Sequence, residues 1–239
     1  MIFTSTIFQY LKGSVFSNTL SVKITDNKTK LYNRLDLLTA LCTNKKIIHV
    51  GFADHIDLIE NKIAKNKWLH KRIMDVASEC VGIDINKEAV QFIKDKLHIG
   101  QVYAYDLADS PPLDVLTAQK WDIMVLGEII EHIDNPVAFL SKLREKYQAN
   151  VSSIIVTAPN AFWFRNVLAF LRREEFINSD HRFWFTPYTL AKIGTQAGWT
   201  PERFEFAVRA SYPLQLLYRF FPVLADTIIM IFTSSPDDH

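Results

Sequence analysis

The sequence predicts an α/β fold built on a parallel sheet, and three observations carry that expectation. Short apolar runs alternate with segments whose apolar residues recur at helical spacing. Helix starts are marked by Asn86, by Asn135-Pro136 and by Thr186-Pro187, each just ahead of such a segment. Hydrophobic residues make up 49% of the 239 residues and charged ones 22%, enough apolar material for the core of one domain.

The elements follow in order. Ile47 to Val50 reads as a first buried strand. Ile56, Ile59, Ile63, Leu69, Ile73 and Val76 then recur at mostly helical spacing, as two helices parted near Asn66. Cys80 to Ile85 is a second strand, and Asn86 caps a helix that turns Val90, Ile93 and Leu97 inward. Val102 to Tyr105 and Ile123 to Leu126 are the third and fourth strands. Pro136 opens a helix with Leu140, Leu143 and Tyr147 on its buried face, and Ser153 to Thr157 is the fifth strand. The Pro187 helix buries Leu190 and Ile193 and has Gly198 near its C-terminus. Arg203 to Val208 and Thr227 to Phe232 complete seven strands. Residues 1–239 read as a single domain, with 1–45 as an N-terminal extension and 160–185 as an insertion between the fifth and sixth strands. That insertion is rich in aromatics, among them Phe162, Trp163, Phe170, Phe176, Phe183 and Trp184. Core beneath a lid, a homodimer interface and a substrate pocket are the three readings of such a cluster.

Composition excludes several functions. The 27 basic residues balance 26 acidic ones, so there is no electrostatic footprint for nucleic acid. Only seven glycines are present where average usage predicts roughly seventeen, and none has the spacing of a Walker A loop or a G-x-G-x-x-G turn. Cys42 and Cys80 read as two thiols of a reducing cytoplasm rather than a disulfide framework. The spacing of His49, His55 and His70 fits no standard metal site, and no metal is expected. Met1 to Leu11 is apolar but lacks the basic region and cleavage site of a signal peptide. The stretch Pro213 to Phe232 carries Arg219, Pro222 and Asp226, so it reads as a helix and a strand rather than a membrane span. Monotopic membrane contact by 213–232 stays open.

In open α/β sheets ligands bind beyond the carboxyl ends of the strands. Gly51 and Phe52 follow the first strand, Asp84 and Ile85 end the second, Asp106 follows the third, and Gly127-Glu128 follow the fourth. A carboxylate after the second strand can accept both hydroxyls of a ribose, one after the third can accept from an adenine amine, and a glycine after the first allows close backbone approach. Each acid alone is more often a helix cap; their ordered repetition is the signal.

The segments "IIHVGFADH", "VGIDINKEAV", "VYAYDLAD", "WDIMVLGEIIEHIDNP", "SIIVTAPN" and "DHRFWFTPYTLAKIGTQAGW" resemble the class I S-adenosylmethionine-dependent methyltransferase family, over roughly Lys46 to Trp199. The long Gly51-to-Asp84 spacing resembles members associated with surface-polysaccharide clusters. The resemblance implies a Rossmann-like fold, S-adenosyl-L-methionine as cofactor and S-adenosyl-L-homocysteine as product. It implies that Gly51 and Phe52 lie beside the methionine part, Asp84 binds the ribose with Ile85 on the adenine, and Asp106 meets the adenine amine beside Leu107. Leu126, Gly127 and Glu128 would border the sulfonium. The family has two or three glycines in its first loop, whereas this chain has only Gly51. A small-molecule acceptor is expected, a hydroxyl of a sugar or related metabolite, with His132 or His181 as general base; a structural hydrogen bond is the other reading of His132. A cofactor-free binding module on an eroded first loop, and a nicotinamide oxidoreductase, are the alternatives. Tyr188-x-x-x-Lys192 matches a dehydrogenase pattern, but without a glycine-rich turn it reads as helix surface.

Overall fold

A computed structural model describes residues 3–24, 30–209 and 215–234. Contacts divide the chain into two compact units. The first comprises Met1–Arg34, Glu128–Ser141 and Val156–His239; the second comprises Leu35–Gly127 and Lys142–Ile155.

The second unit holds β2 (Lys46–Val50), β3 (Glu79–Asp84), β4 (Val102–Ala104), β5 (Trp121–Gly127) and the first half of β6 (Val151–Pro159), in the order β6-β5-β2-β3-β4. β2 pairs in parallel with both β3 and β5, and β3 in parallel with β4. Ile47 to Val50 and Ile123 to Leu126 are buried, which explains near-continuous apolar runs in place of alternation. The predicted break near Asn66 is present. α3 (Ile56–Ala64) and α4 (Leu69–Met74) are separated by Asn66 at φ 52°, a left-handed conformation that asparagine tolerates and a helix cannot continue through. α5 (Lys87–Leu97) starts where the Asn86 side chain accepts the Ala89 N–H, and it buries Ala89, Val90 and Ile93. α6 (Asp114–Thr117) is a single turn; α7 (Pro136–Tyr147) starts as α5 does, with Asn135 accepting from Ala138, and passes from the first unit into the second after Ser141.

The first unit holds the rest of β6 with β1 (Leu31–Asn33), β7 (Thr200–Val208) and β8 (Thr227–Thr233), in the order β1-β7-β8-β6. β1 runs parallel to β7 and β7 antiparallel to β8. β1 is an eighth strand beyond the seven expected; three residues with no apolar run leave no periodicity to detect. It lies in the segment read as an extension, which also supplies α1 (Ser5–Lys12) and α2 (Arg34–Cys42). α9 (Pro187–Gln196) begins with a capping box between Thr186 and Thr189. Its Lys192 and Gln196 side chains donate to the carbonyls of Tyr10, Leu11 and Lys12, closing the end of α1. Lys192 is thereby a structural cap, which disposes of the dehydrogenase pattern.

In the stretch Pro213 to Phe232, residues 213 and 214 lie outside the described residues. The remainder forms α10 (Gln215–Phe220), a short 3₁₀ turn at Pro222–Leu224 and most of β8. Among the described residues no helix is long and apolar enough to cross a membrane.

Two packing features lead to predictions. A Cβ on Gly194 would stand 2.1 Å from Cε1 of the fully buried Phe232. Gly194→Ala should cost about 1–3 kcal/mol by overpacking, read as a lower unfolding midpoint, and Phe232→Leu in the same chain should restore part of it. His70 is wholly buried, its Nδ1 3.2 Å from His49 Nδ1, and burial pushes its pKa down from 6.5 to about 3. The unfolded chain therefore holds a proton between pH 6.5 and 3 that the folded chain refuses, so this group favours folding above pH 6.5 and does so progressively less as pH falls. Denaturant midpoints should drop less between pH 7 and 4.5 in His70→Leu than in the wild type; equal drops would remove His70 as a cause.

Candidate functional site

Parallel register sets the ligand edge of the second unit. Val50 lies opposite Ile83 on one side and Leu126 on the other, so Gly51, Asp84 and Gly127 come next at one level. Asp84 lies opposite Ala104, which brings Asp106 to the same edge two residues later. The chain leaves β2 toward β3 and β4, then returns to place β5 on the opposite side of β2. That reversal is a topological switch point, where strand connections diverge and leave a crevice.

Gly51 adopts φ 65°, the left-handed region that favours glycine, while its N–H continues the ladder to Ile83 O at 2.8 Å. The Phe52 ring turns inward rather than to the edge. It is 2% exposed, 4.5 Å from the His70 ring between centroids, and packs where a Cβ on Gly82 would come within 2.8 Å of it. Only the Phe52 backbone is left at the loop, and its carbonyl accepts the Trp68 indole N–H at 3.2 Å.

The Asp84 carboxylate accepts the Ala53 N–H at 3.1 Å on one oxygen and the Asn86 N–H at 2.9 Å on the other. One side chain thus fixes the first loop and the turn after β3. Burial raises its pKa, against the pull of the Asn86, Ala53 and Ile85 amides. Ile85 beside it is 74% exposed, an apolar face at a polar edge. Asp106 accepts the N–H groups of Ala108 and Asp109 on Oδ1 alone, at 2.9 and 3.0 Å. Leu107 and Leu126 are buried as packing beneath the edge.

The first unit carries a second polar cluster. Glu128 sits at φ 58°, an uncommon backbone for a residue with a side chain. Its carboxylate accepts the Thr157 hydroxyl at 2.9 Å, lies 3.6 Å from Arg34 Nε and is bonded by Arg209. Burial alone would raise its pKa, but Arg209, Arg34 and Thr157 hold it below the usual range. Three residues on, Glu131 is 1% exposed and neither of its oxygens has a hydrogen-bond partner. Burial and the nearby Glu128 push its pKa up to about 8.

The two predicted histidines meet here. Rings of His132 and His181 are 4.8 Å apart and nearly perpendicular, and His181 Nε2 lies 3.9 Å from Glu131 Oε1. One ligand atom from each of Glu131, His132 and His181 lies within 4.8 Å of the others. This grouping is long-range in sequence, which is why histidine spacing alone indicated no metal site. Arg182 staples the segments together: its N–H donates to Glu131 O at 2.8 Å, and its guanidinium bonds His132 O and Asp134. Sequence reasoning missed Arg34, Thr157 and Arg209. Nothing near them in sequence signals that they converge on Glu128.

The aromatic insertion lies in the first unit, with α8 (Phe164–Leu171) inside it. Phe185 is buried, but Phe162, Phe170, Phe176 and Phe183 are all exposed. Phe162, Phe170, Phe176, Trp184 and Glu175 line an open cavity of about 480 Å³, and the Trp184 indole donates to Glu175 at 3.2 Å.

No protein-family model and no curated protein matches the chain by sequence. Solved structures do match by fold. The small RNA methyltransferase HEN1 superposes at TM-score 0.58 and 17% identity over 86% of this chain, which spans 25% of that one. The magnesium protoporphyrin IX methyltransferase of Synechocystis PCC 6803 with bound SAH matches at TM-score 0.54 and 14% identity, covering 84% and 82%. The methyltransferase domain of a bacterial CtHen1 matches at 0.52 and 19%, covering 84% and 97%. The chain therefore has the fold of these methyltransferases, a Rossmann-like α/β sheet. Their acceptors, as different as a small RNA and a porphyrin, show that this fold does not dictate the acceptor.

Breaking the Glu128 cluster should be costly. Glu128→Ala leaves Arg34 and Arg209 facing each other and Thr157 without its acceptor, and should lose about 1–3 kcal/mol in denaturant unfolding, discounted for the half-exposed Arg209.

Proposed function

We propose that the protein is an S-adenosylmethionine-dependent methyltransferase acting on a hydroxyl of a small acceptor, a sugar or related metabolite. The observation that carries this reading is the strand-end register of Gly51, Asp84 and Gly127 at a switch point, with Asp106 following on the next strand. Its residues fit the cofactor. Both Asp84 oxygens already accept backbone amides, so the carboxylate is fixed in place, with lone pairs left for a ribose diol. Exposed Ile85 offers a flat apolar surface to an adenine, and Asp106 keeps Oδ2 for an exocyclic amine. S-adenosylmethionine has no phosphate, which removes the need for a glycine-rich cradle. Leu107 and Leu126 act from beneath, as packing that sets the level of the edge. Gly51 and the Phe52 backbone border the methionine part, and Gly127-Glu128 lie on the sulfonium side.

Supplied by the bound cofactor, the methyl group is already activated. The chain's own task is to hold an acceptor oxygen in line and manage its proton. His132 and His181 are the candidates for the proton, beside Glu131. The aromatic cavity supports a sugar-like acceptor: ring faces stack against apolar C–H surfaces, and the Glu175 carboxylate binds hydroxyls.

Calorimetry with S-adenosylhomocysteine tests the reading. The wild type should bind one equivalent, and Asp84→Ala should weaken binding roughly 10- to 100-fold, the worth of one or two hydrogen bonds to a charged group. A folded wild type that binds no S-adenosylhomocysteine overturns it. Thermal stabilisation by NAD in its place would point to an oxidoreductase, and no response to either would point to a binding module.

A further inference from the structure

We propose that α8 is a lipid-docking helix, which seats its apolar side in an anionic membrane surface. The inference goes beyond the methyltransferase reading and does not depend on it. Every residue that carries it lies in the first unit.

The first observation is that α8 packs with its apolar side outward. Asn166 and Ala169, three residues apart, face the protein. Ala169 is buried, and the Asn166 side chain donates to the carbonyls of Asn160 and Ala161 at 3.4 and 3.3 Å. Phe164, Val167, Leu168 and Leu171 recur at spacings of three and four and make one stripe on the other side. Val167 and Leu168 are exposed, and Phe170 and Leu171, which end the helix, are 77% and 71% exposed. A helix held by one polar and one small residue, with its large apolar side chains in water, inverts the pattern that folding favours. The exposed end is a closed one. Arg173 turns to φ 64°, and the Glu174 N–H bonds Ala169 O at 2.9 Å to finish the last turn.

The second observation is the charge beside that stripe, and it selects the occupant. Arg165 and Arg172, seven residues apart, share one flank of the helix, and Arg173 follows. The Arg165 guanidinium is steadied by aromatic rings, 4.1 Å from the Phe176 centroid and 5.3 Å from that of Trp163. Among the described residues none of these three arginines has a carboxylate within ion-pair distance. Glu174 and Glu175 line the aromatic cavity instead, where Trp184 bonds Glu175. An apolar stripe with unpaired guanidinium groups at its edge matches an anionic bilayer: the hydrocarbon takes the one and the phosphates take the other. A second copy seated on the same face would bring its own set of these arginines to the rim, and like charges oppose that. Val167 and Phe170 also line the aromatic cavity, so the docked helix brings that cavity to the lipid.

Co-sedimentation of the full chain with vesicles is the test, using phosphatidylcholine alone and phosphatidylcholine mixed with phosphatidylglycerol. The wild type should sediment with the mixed vesicles, bind pure phosphatidylcholine far less, and be released as salt is raised. Phe170→Ser with Leu171→Ser should weaken binding roughly tenfold or more. Arg172→Gln with Arg173→Gln should weaken it about fivefold for each charge removed. Both variants change exposed side chains and should melt as the wild type does. If the serine pair alters the fold, Leu171→Trp supplies a second measurement. Its added indole emission should shift to the blue on mixed vesicles and stay in place on pure phosphatidylcholine. A folded wild type that stays in the supernatant with both lipids overturns the proposal, as do α8 variants that bind as tightly as the wild type. Loss of binding on Phe220→Ser with Phe221→Ser, and not on the α8 changes, moves the contact to α10 and removes α8. A wild-type dimer in gel filtration that the α8 serine pair dissociates gives the face to a second copy and overturns the lipid assignment.

Discussion

A buried parallel sheet tolerates a polar side chain along its strands only where a partner meets it, as His70 meets His49, and the rest of the structure follows from that constraint. β2 and β5 bury every residue from Ile47 to Val50 and from Ile123 to Leu126. Polar chemistry is displaced to the residues where the strands stop pairing. There the backbone has amides to offer, and the side chains meet water on one side only. Strand register therefore decides which acids share an edge, well before any ligand is considered.

Four carboxyl groups at or just beyond strand ends receive three different treatments. Asp84 and Asp106 take backbone amides, which fix the loops they cap. Glu128 takes two guanidinium groups and a hydroxyl, and so stays ionised inside the first unit. Glu131 takes none of these, and its carboxyl is raised to about 8. Glu128 and Glu131 differ in environment far more than their three-residue spacing suggests, since the 3₁₀ turn at Ile130–His132 faces them toward different partners.

Local signals made much of this visible in the sequence. Asn86, Asn135-Pro136 and Thr186-Pro187 mark real helix starts, because a side-chain cap is a short-range interaction. Apolar runs marked seven strands, and the acids after them marked an edge. What stayed hidden depends on distance along the chain. β1 exists only because β7 pairs with it. Phe52, read from its place after the first strand, turns inward because Gly82 leaves space for its ring. Arg34 and Arg209 reach Glu128 from opposite ends of the sequence, and His181 reaches Glu131 across fifty residues. No window of sequence contains those partners together.

The capping of α1 by Lys192 and Gln196 has a consequence for synthesis. α1 ends in carbonyls whose partners lie some 180 residues later in the sequence. β2, β3, β4 and β5 lie together in the second unit and find one another within a continuous stretch. The first unit is assembled from three separated pieces, among them the two ends of the chain. Its contacts must wait for β7 and β8, and long sequence separation makes such pairings slow. α1 is therefore translated well before the side chains that close it, and its last carbonyls stay uncapped until α9 has been made.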